Sequence, residues 1–107
     1  MTITHIDGSV ITDQYDSIEA AAKAGVNLSG ADLADATLTG ATLTDANLSR
    51  ATLTDANLSR ANLTGADLTG ATLSYTTLTG ADLTGADLSG ATLAGATITL
   101  GDRTITL

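Results

Sequence analysis

From Val26 to Leu100 the chain is fifteen consecutive five-residue units, and that period fits neither regular secondary structure. A unit reads Ala, then Thr, Asn or Asp, then Leu, then usually Thr or Ser, then a variable residue. The segment Ala41–Arg50 is ATLTDANLSR, and Ala51–Arg60 repeats it letter for letter. On an α-helix, turning about 100° per residue, successive Leu would step by about 140° and scatter around every side. On a flat strand an odd period sends alternate Leu to opposite faces. Either arrangement leaves half the apolar residues in water. The remaining solution is a short extended piece followed by a turn that resets the phase, every five residues.

The composition of each position agrees with that solution. The central position is Leu28, Leu33, Leu38, Leu43, Leu48, Leu53, Leu58, Leu63, Leu68, Leu73, Leu78, Leu83, Leu88, Leu93 and Ile98, aliphatic throughout. The residue two before it is Ala except at Val26 and Thr76, and two positions apart on an extended piece means the same side. These residues form the expected core. The fifth position holds eight Gly and three Asp (Asp35, Asp45 and Asp55), residues suited to the turn conformation that absorbs the phase change. A chain that turns the same way at every unit coils into a tube with Leu and Ala inside.

The chain has 107 residues, room for one domain, and it lacks Cys, Pro, Trp and Phe. A core without large aromatics must rely on many small repeated contacts. The absence of Cys excludes disulfides and thiolate metal sites. His5 is the only His, so nucleophilic catalysis lacks a base, and it reads as an exposed strand residue. No Gly cluster forms a phosphate-binding loop. Twelve acidic residues against four basic ones give a net charge of −8, which argues against direct nucleic-acid binding and permits attraction to basic protein surfaces. Neither a signal peptide nor an apolar run long enough for a bilayer is evident, so the expected location is cytoplasmic, away from membranes.

The A-[TND]-L-[TS]-x units over residues 26–100 resemble the pentapeptide repeat family. That resemblance implies an all-β fold: a right-handed quadrilateral β-helix, four units to a coil and nearly four coils here. The Phe that family members often place at central positions is missing, which implies a uniform, narrow core. The resemblance also implies a structural or protein-interaction module rather than an enzyme, without a cofactor or resident metal and with an unidentified protein partner. Two further readings come with it. Acidic members include mimics of DNA that bind DNA gyrase, although this chain is shorter and carries only seven Asp in its repeats. Thr-x-Thr arrays on β-solenoids can bind ice, and Thr37/Thr39, Asn57/Ser59, Thr77/Thr79 and Thr97/Thr99 should share one face, interrupted by the second pair.

Open ends of a solenoid expose core and unpaired backbone, so residues 1–25 and 101–107 read as caps flanking the repeat domain. Thr2–Ile6 and Ser9–Thr12 alternate around Asp7-Gly8, a hairpin signal. Asp16 with Glu19 resembles a capping box, and Ile18, Ala21 and Ala22 predict a short helix over about 17–24 ending at Gly25. Thr97–Leu100 and Arg103–Leu107 around Gly101-Asp102 read as a second hairpin that half-covers the last coil. Ile98, Leu100, Ile105 and Leu107 could then meet the same surface of a second molecule, giving a homodimer through the C-terminal end.

Three residues stand out as candidate contacts. Tyr75 replaces a small turn residue, and an exposed Tyr is a favoured anchor; drift at a tolerant corner is the competing reading. Its neighbour Thr76 replaces an inward Ala and should bond the backbone. Asp67 and Asp87 are four units apart and should stack, as should Asp35 and Asp55. Stacked carboxylates could hold a cation or raise a pKa, against the plainer reading of solvated face residues.

Overall fold

The computed structural model describes residues 1–100 and 102–107. Its repeating element is a turn. In each unit the Leu carbonyl accepts the N–H of the next unit's first residue, as Leu43 O does from Ala46 N at 3.1 Å. The fifth-position residue inside that turn has positive φ, from 58° at Arg50 and Arg60 to 75° at Gly95. A four-residue turn with positive φ at its third residue is type II. One such turn every five residues brings the chain back alongside itself.

The return distance is read from the ladder. Leu48 N donates to Asp67 O at 2.8 Å, Arg50 N to Thr69 O at 2.8 Å, and Thr72 N to Ala51 O at 2.9 Å. Second-position residues form parallel bridges, among them Asp32 with Thr52, Thr37 with Asn57, Asn47 with Asp67 and Thr72 with Thr92. Each pair is twenty residues apart (67 − 47 = 20), so every layer contains four units. The fold is β-helix-like, built of extended pieces with little helix.

Stacking the layers puts Leu on Leu. Leu28, Leu43, Leu48, Leu53, Leu58, Leu63, Leu68 and Leu73 are 0 % exposed, with Leu33, Leu38 and Leu78 nearly so, and buried Ala fill the spaces between. Each such Leu contributes roughly 1.5–3 kcal/mol by leaving water. The fourth-position N–H of a unit takes no part in the ladder. Where the second position is Asn or Asp, its Oδ1 commonly accepts that N–H: Ser59 N to Asn57 at 3.0 Å, Thr84 N to Asp82 at 3.0 Å. This explains why polar residues with a short acceptor recur there.

At the N-terminal end β1 (Ile3–Thr4) pairs antiparallel with β2 (Val10–Thr12). The connecting turn closes through Gly8 N to His5 O at 2.9 Å, with Gly8 at φ 87°. The hairpin joins the first layer through an antiparallel bridge of His5 with Ala31 and through Asp32 N to Thr4 O at 2.7 Å. Helix α1 (Ile18–Lys23) follows, with Ile18 and Ala21 buried in the same core as the repeats. The anticipated capping box does not form. Ser17 is the N-cap, its Oγ accepting from Ala20 N at 3.0 Å, and Glu19 turns away to accept Thr42 N at 3.0 Å. His5, read as an exposed strand residue, is half-buried and carries the hairpin's junction to the repeats.

At the other end β3 (Thr77–Leu78) pairs parallel with β4 (Thr97–Leu100), and β4 pairs antiparallel with β5 (Arg103–Thr106). Leu107 N donates to Ala96 O at 2.8 Å, holding β5 against one side of the tube. Of the Gly101-Asp102 turn, Gly101 lies outside the described residues. One expectation needs correction here. The repeat pattern places Leu83, Leu88, Leu93 and Ile98 in the core with the rest, yet all four are only partly buried. They belong to the last layer, on which, among the described residues, only β5 stacks, pairing Ile105 with Ile98.

Candidate functional site

Asp67 and Asp87 bridge directly, stacked above Asn47 on one side of the tube. Their proximity does not raise their pKa values. Asp67 is held below the usual carboxylate range by the Thr69 hydroxyl and N–H, which outweigh the opposing push from Asp87. Asp87 is lowered in the same way by Ser89. Asp82 is lowered by Thr84 on a neighbouring side, where Thr84 N and Oγ1 donate to its Oδ1 at 3.0 and 2.6 Å. These carboxylates are occupied in bracing their own turns. Among the described residues no group of His, Asp and Glu is arranged to hold a metal ion.

Tyr75 lies elsewhere, in a corner stack with Asp35 and Asp55, so the structure does not bring it together with Asp67 and Asp87. Its ring is 66 % exposed and leans over Gly95 in the next layer, where an added Cβ would come within 2.5 Å of Cδ1 and Cε1. Its φ of 59° is unusual for a bulky residue. Thr76 is fully buried, and its hydroxyl donates to Leu53 O at 2.7 Å. Asn57 indeed interrupts the Thr stack: it bridges Thr37 on one side and Thr77 on the other.

Among the described residues, the apolar interior is least covered at the C-terminal end. In earlier layers the Leu N–H and the fifth-position N–H donate to the layer above, and the Ala carbonyl accepts from it. In the last layer the N–H groups of Leu83, Gly85, Leu88, Gly90 and Leu93, and the carbonyls of Ala81, Ala86 and Ala91, have no such partner among the described residues. Strand β5 covers only the side that carries β4. Partly exposed Leu83, Leu88 and Leu93, half-buried Ile105 and half-exposed Leu107 surround these free groups. Residue types alone do not reveal this site, because Leu88 and Leu68 sit in nearly identical units; the signal is distance from the end of the repeat array.

The five-residue turn, the twenty-residue ladder and the Leu-filled interior have a counterpart among known proteins. A family model for pentapeptide repeats matches residues 24–60 and 61–99, with eight copies. The chain belongs to the pentapeptide repeat family. Among solved pentapeptide repeat proteins, Rfr23 of the cyanobacterium Cyanothece 51142 is 39 % identical, with a TM-score of 0.62 over 63 % of this chain. The chain spans 46 % of the length of Rfr23. A pentapeptide repeat protein of the Arabidopsis thaliana thylakoid lumen is 27 % identical, with a TM-score of 0.55, covering 71 % of this chain and 69 % of its own. No curated protein matches the sequence. Among the described residues of this pentapeptide repeat chain, no helix is long and apolar enough to cross a membrane.

Proposed function

We propose that the protein is a non-enzymatic structural and protein-interaction module that docks through its open C-terminal end, first of all onto a second copy of itself. The observation that carries this reading is the last layer, with backbone groups that have no partner among the described residues and with partly exposed Leu. A β edge of that kind favours another extended backbone as its partner.

The finer architecture belongs to the same proposal. Four units per layer and nearly equal short dimensions of 23 and 22 Å suit a right-handed tube with a square section. Helix α1 and the β1–β2 hairpin act as the cap of the N-terminal end, through the Glu19, Thr4 and His5 contacts. With Leu28, Leu33, Leu38 and Leu43 buried at that end, head-to-tail stacking has little apolar surface to bury there. Two C-terminal ends can still meet about a two-fold axis, which closes the assembly. The section offers roughly 400 Å² per copy, about half a standard interface, so the association is weak and concentration-dependent.

The gyrase and ice-binding readings have less support. Asp67, Asp82 and Asp87 are engaged by their own turns, and Asn57 breaks the Thr stack. Sedimentation at rising concentration tests the dimer. The full chain should shift from monomer to dimer, whereas Leu88→Glu and a chain ending after Gly95 should remain monomeric. A full chain that stays monomeric at millimolar concentration removes the proposal, as does a dimer unaffected by both changes.

A further inference from the structure

A groove lies at the opposite end of the molecule, between the N-terminal hairpin and the first two layers. Two adjoining open depressions of about 470 and 450 Å³ meet there, and both are lined by His5, Ser29 and Arg50. We propose that this groove binds a small carboxylate carrying a short apolar tail.

The head group is assigned by Arg50. On a chain with a net charge of −8, its guanidinium pairs with no carboxylate among the described residues. Its single bond is from Nη2 to Ser29 Oγ at 3.3 Å, so its remaining N–H donors are unspent. The Ser29 hydroxyl donates to Ser49 O at 3.0 Å, which leaves the guanidinium as the donor to an anion. It orients the guanidinium, which suits a two-pronged contact with a carboxylate. Asp7 also lines the first depression, and its Oδ1 accepts Ser9 N and Oγ at 2.9 and 2.7 Å. The charge on Asp7 opposes any anion here, and opposes a dianion such as phosphate more than a monocarboxylate.

The tail is assigned by the groove's rim. Ile6 borders the first depression and is 70 % exposed; Val10 borders the second and is 58 % exposed. Arg60 supplies the control. It occupies the same position in its unit, has the same φ of 58° and leans on Gly80 as Arg50 leans on Gly70, but it lines neither depression.

The experiment is a two-dimensional amide NMR titration of the full chain with hexanoate, acetate and phosphate, with a melting curve for each variant. Hexanoate should give saturable shifts confined to residues around His5, Ser29 and Arg50, and should bind about tenfold tighter than acetate. Arg50→Gln should weaken hexanoate at least tenfold, and Arg60→Gln less than twofold. Ile6→Ser, at an exposed site away from the core, should reduce hexanoate towards acetate and leave acetate unchanged. Absence of saturation with hexanoate, equal losses in Arg50→Gln and Arg60→Gln, or tighter binding of phosphate would each overturn the proposal. None of these readouts depends on what the C-terminal end does.

Discussion

At the fifth position of fourteen of the fifteen units the backbone has positive φ, and eight of these units meet that requirement with Gly. Asp35, Asp45, Asp55, Arg50, Arg60 and Tyr75 meet it with side chains, at φ between 58° and 62°. Asp tolerates the left-handed region, whereas Arg and Tyr hold it at a cost of order 1 kcal/mol or more. Several of these side chains then lie over a Gly of the next layer: Arg50 over Gly70, Arg60 over Gly80, Tyr75 over Gly95. Gly95 is therefore needed for space as well as for conformation, while a Cβ added at Gly40, where φ is 69°, would meet nothing within 4 Å. Gly40→Ala should cost about 1 kcal/mol in urea denaturation, and Gly95→Ala clearly more. Replacing Tyr75 by Ala should bring the two costs together; a persistent difference would mean that the ring is not the obstacle. That Tyr75 breaks the repeat is plain in the sequence. That its ring reaches Gly95 depends on the stacking distance between layers.

At the scale of the element, the unit's second position couples charge to stability. Asp67, Asp82 and Asp87 have folded-state pKa values below their ordinary ones, so they favour the folded form above the unfolded carboxylate pKa of about 3.9. That contribution disappears as pH falls through the lowered values. In about 0.1 M salt, where more distant repulsion is screened, the melting temperature should be flat from pH 7 to about pH 5 and fall below about pH 4. Asp67→Asn keeps the Oδ1 acceptor and should make the acid fall shallower. A melting temperature that rises on acidification would show that relief of repulsion dominates instead. Helix α1 gives a second prediction: Ser17→Ala should cost about 1 kcal/mol and Asp16→Ala little, compared by thermal unfolding. Adjacent Asp16 and Ser17 are both good cap residues, and local sequence does not choose between them. The choice goes with Glu19, whose carboxylate is drawn to Thr42 N, a group twenty-three residues away.

At the scale of the molecule, each layer is stabilised by its neighbours, so the same residue matters differently along the tube. Leu68 is fully buried between layers, and Leu68→Asp should abolish the cooperative melting transition followed by circular dichroism. Leu68→Ala should cost about 2–5 kcal/mol, and Leu88→Ala, in the half-open layer, distinctly less. Equal costs would mean that the last layer is covered under the conditions of measurement, the outcome expected for a dimer held at high concentration. The groove at Arg50 is also a feature of this scale, since it joins residues of the hairpin to corners of two successive layers.

The five-residue period alone determined the solenoid, because neither a helix nor a flat strand can place Leu28 through Ile98 on one side. The same period pointed to the turn position and to an interior of Leu and Ala, both of which depend on nearest neighbours along the chain. Only the tertiary structure decided which Leu lack a covering layer, which acidic groups are engaged, and that His5 and Arg50, forty-five residues apart, line one groove. Those outcomes depend on what lies one layer away. A strictly repeating sequence carries almost no information about that, since every unit offers its neighbours nearly the same side chains.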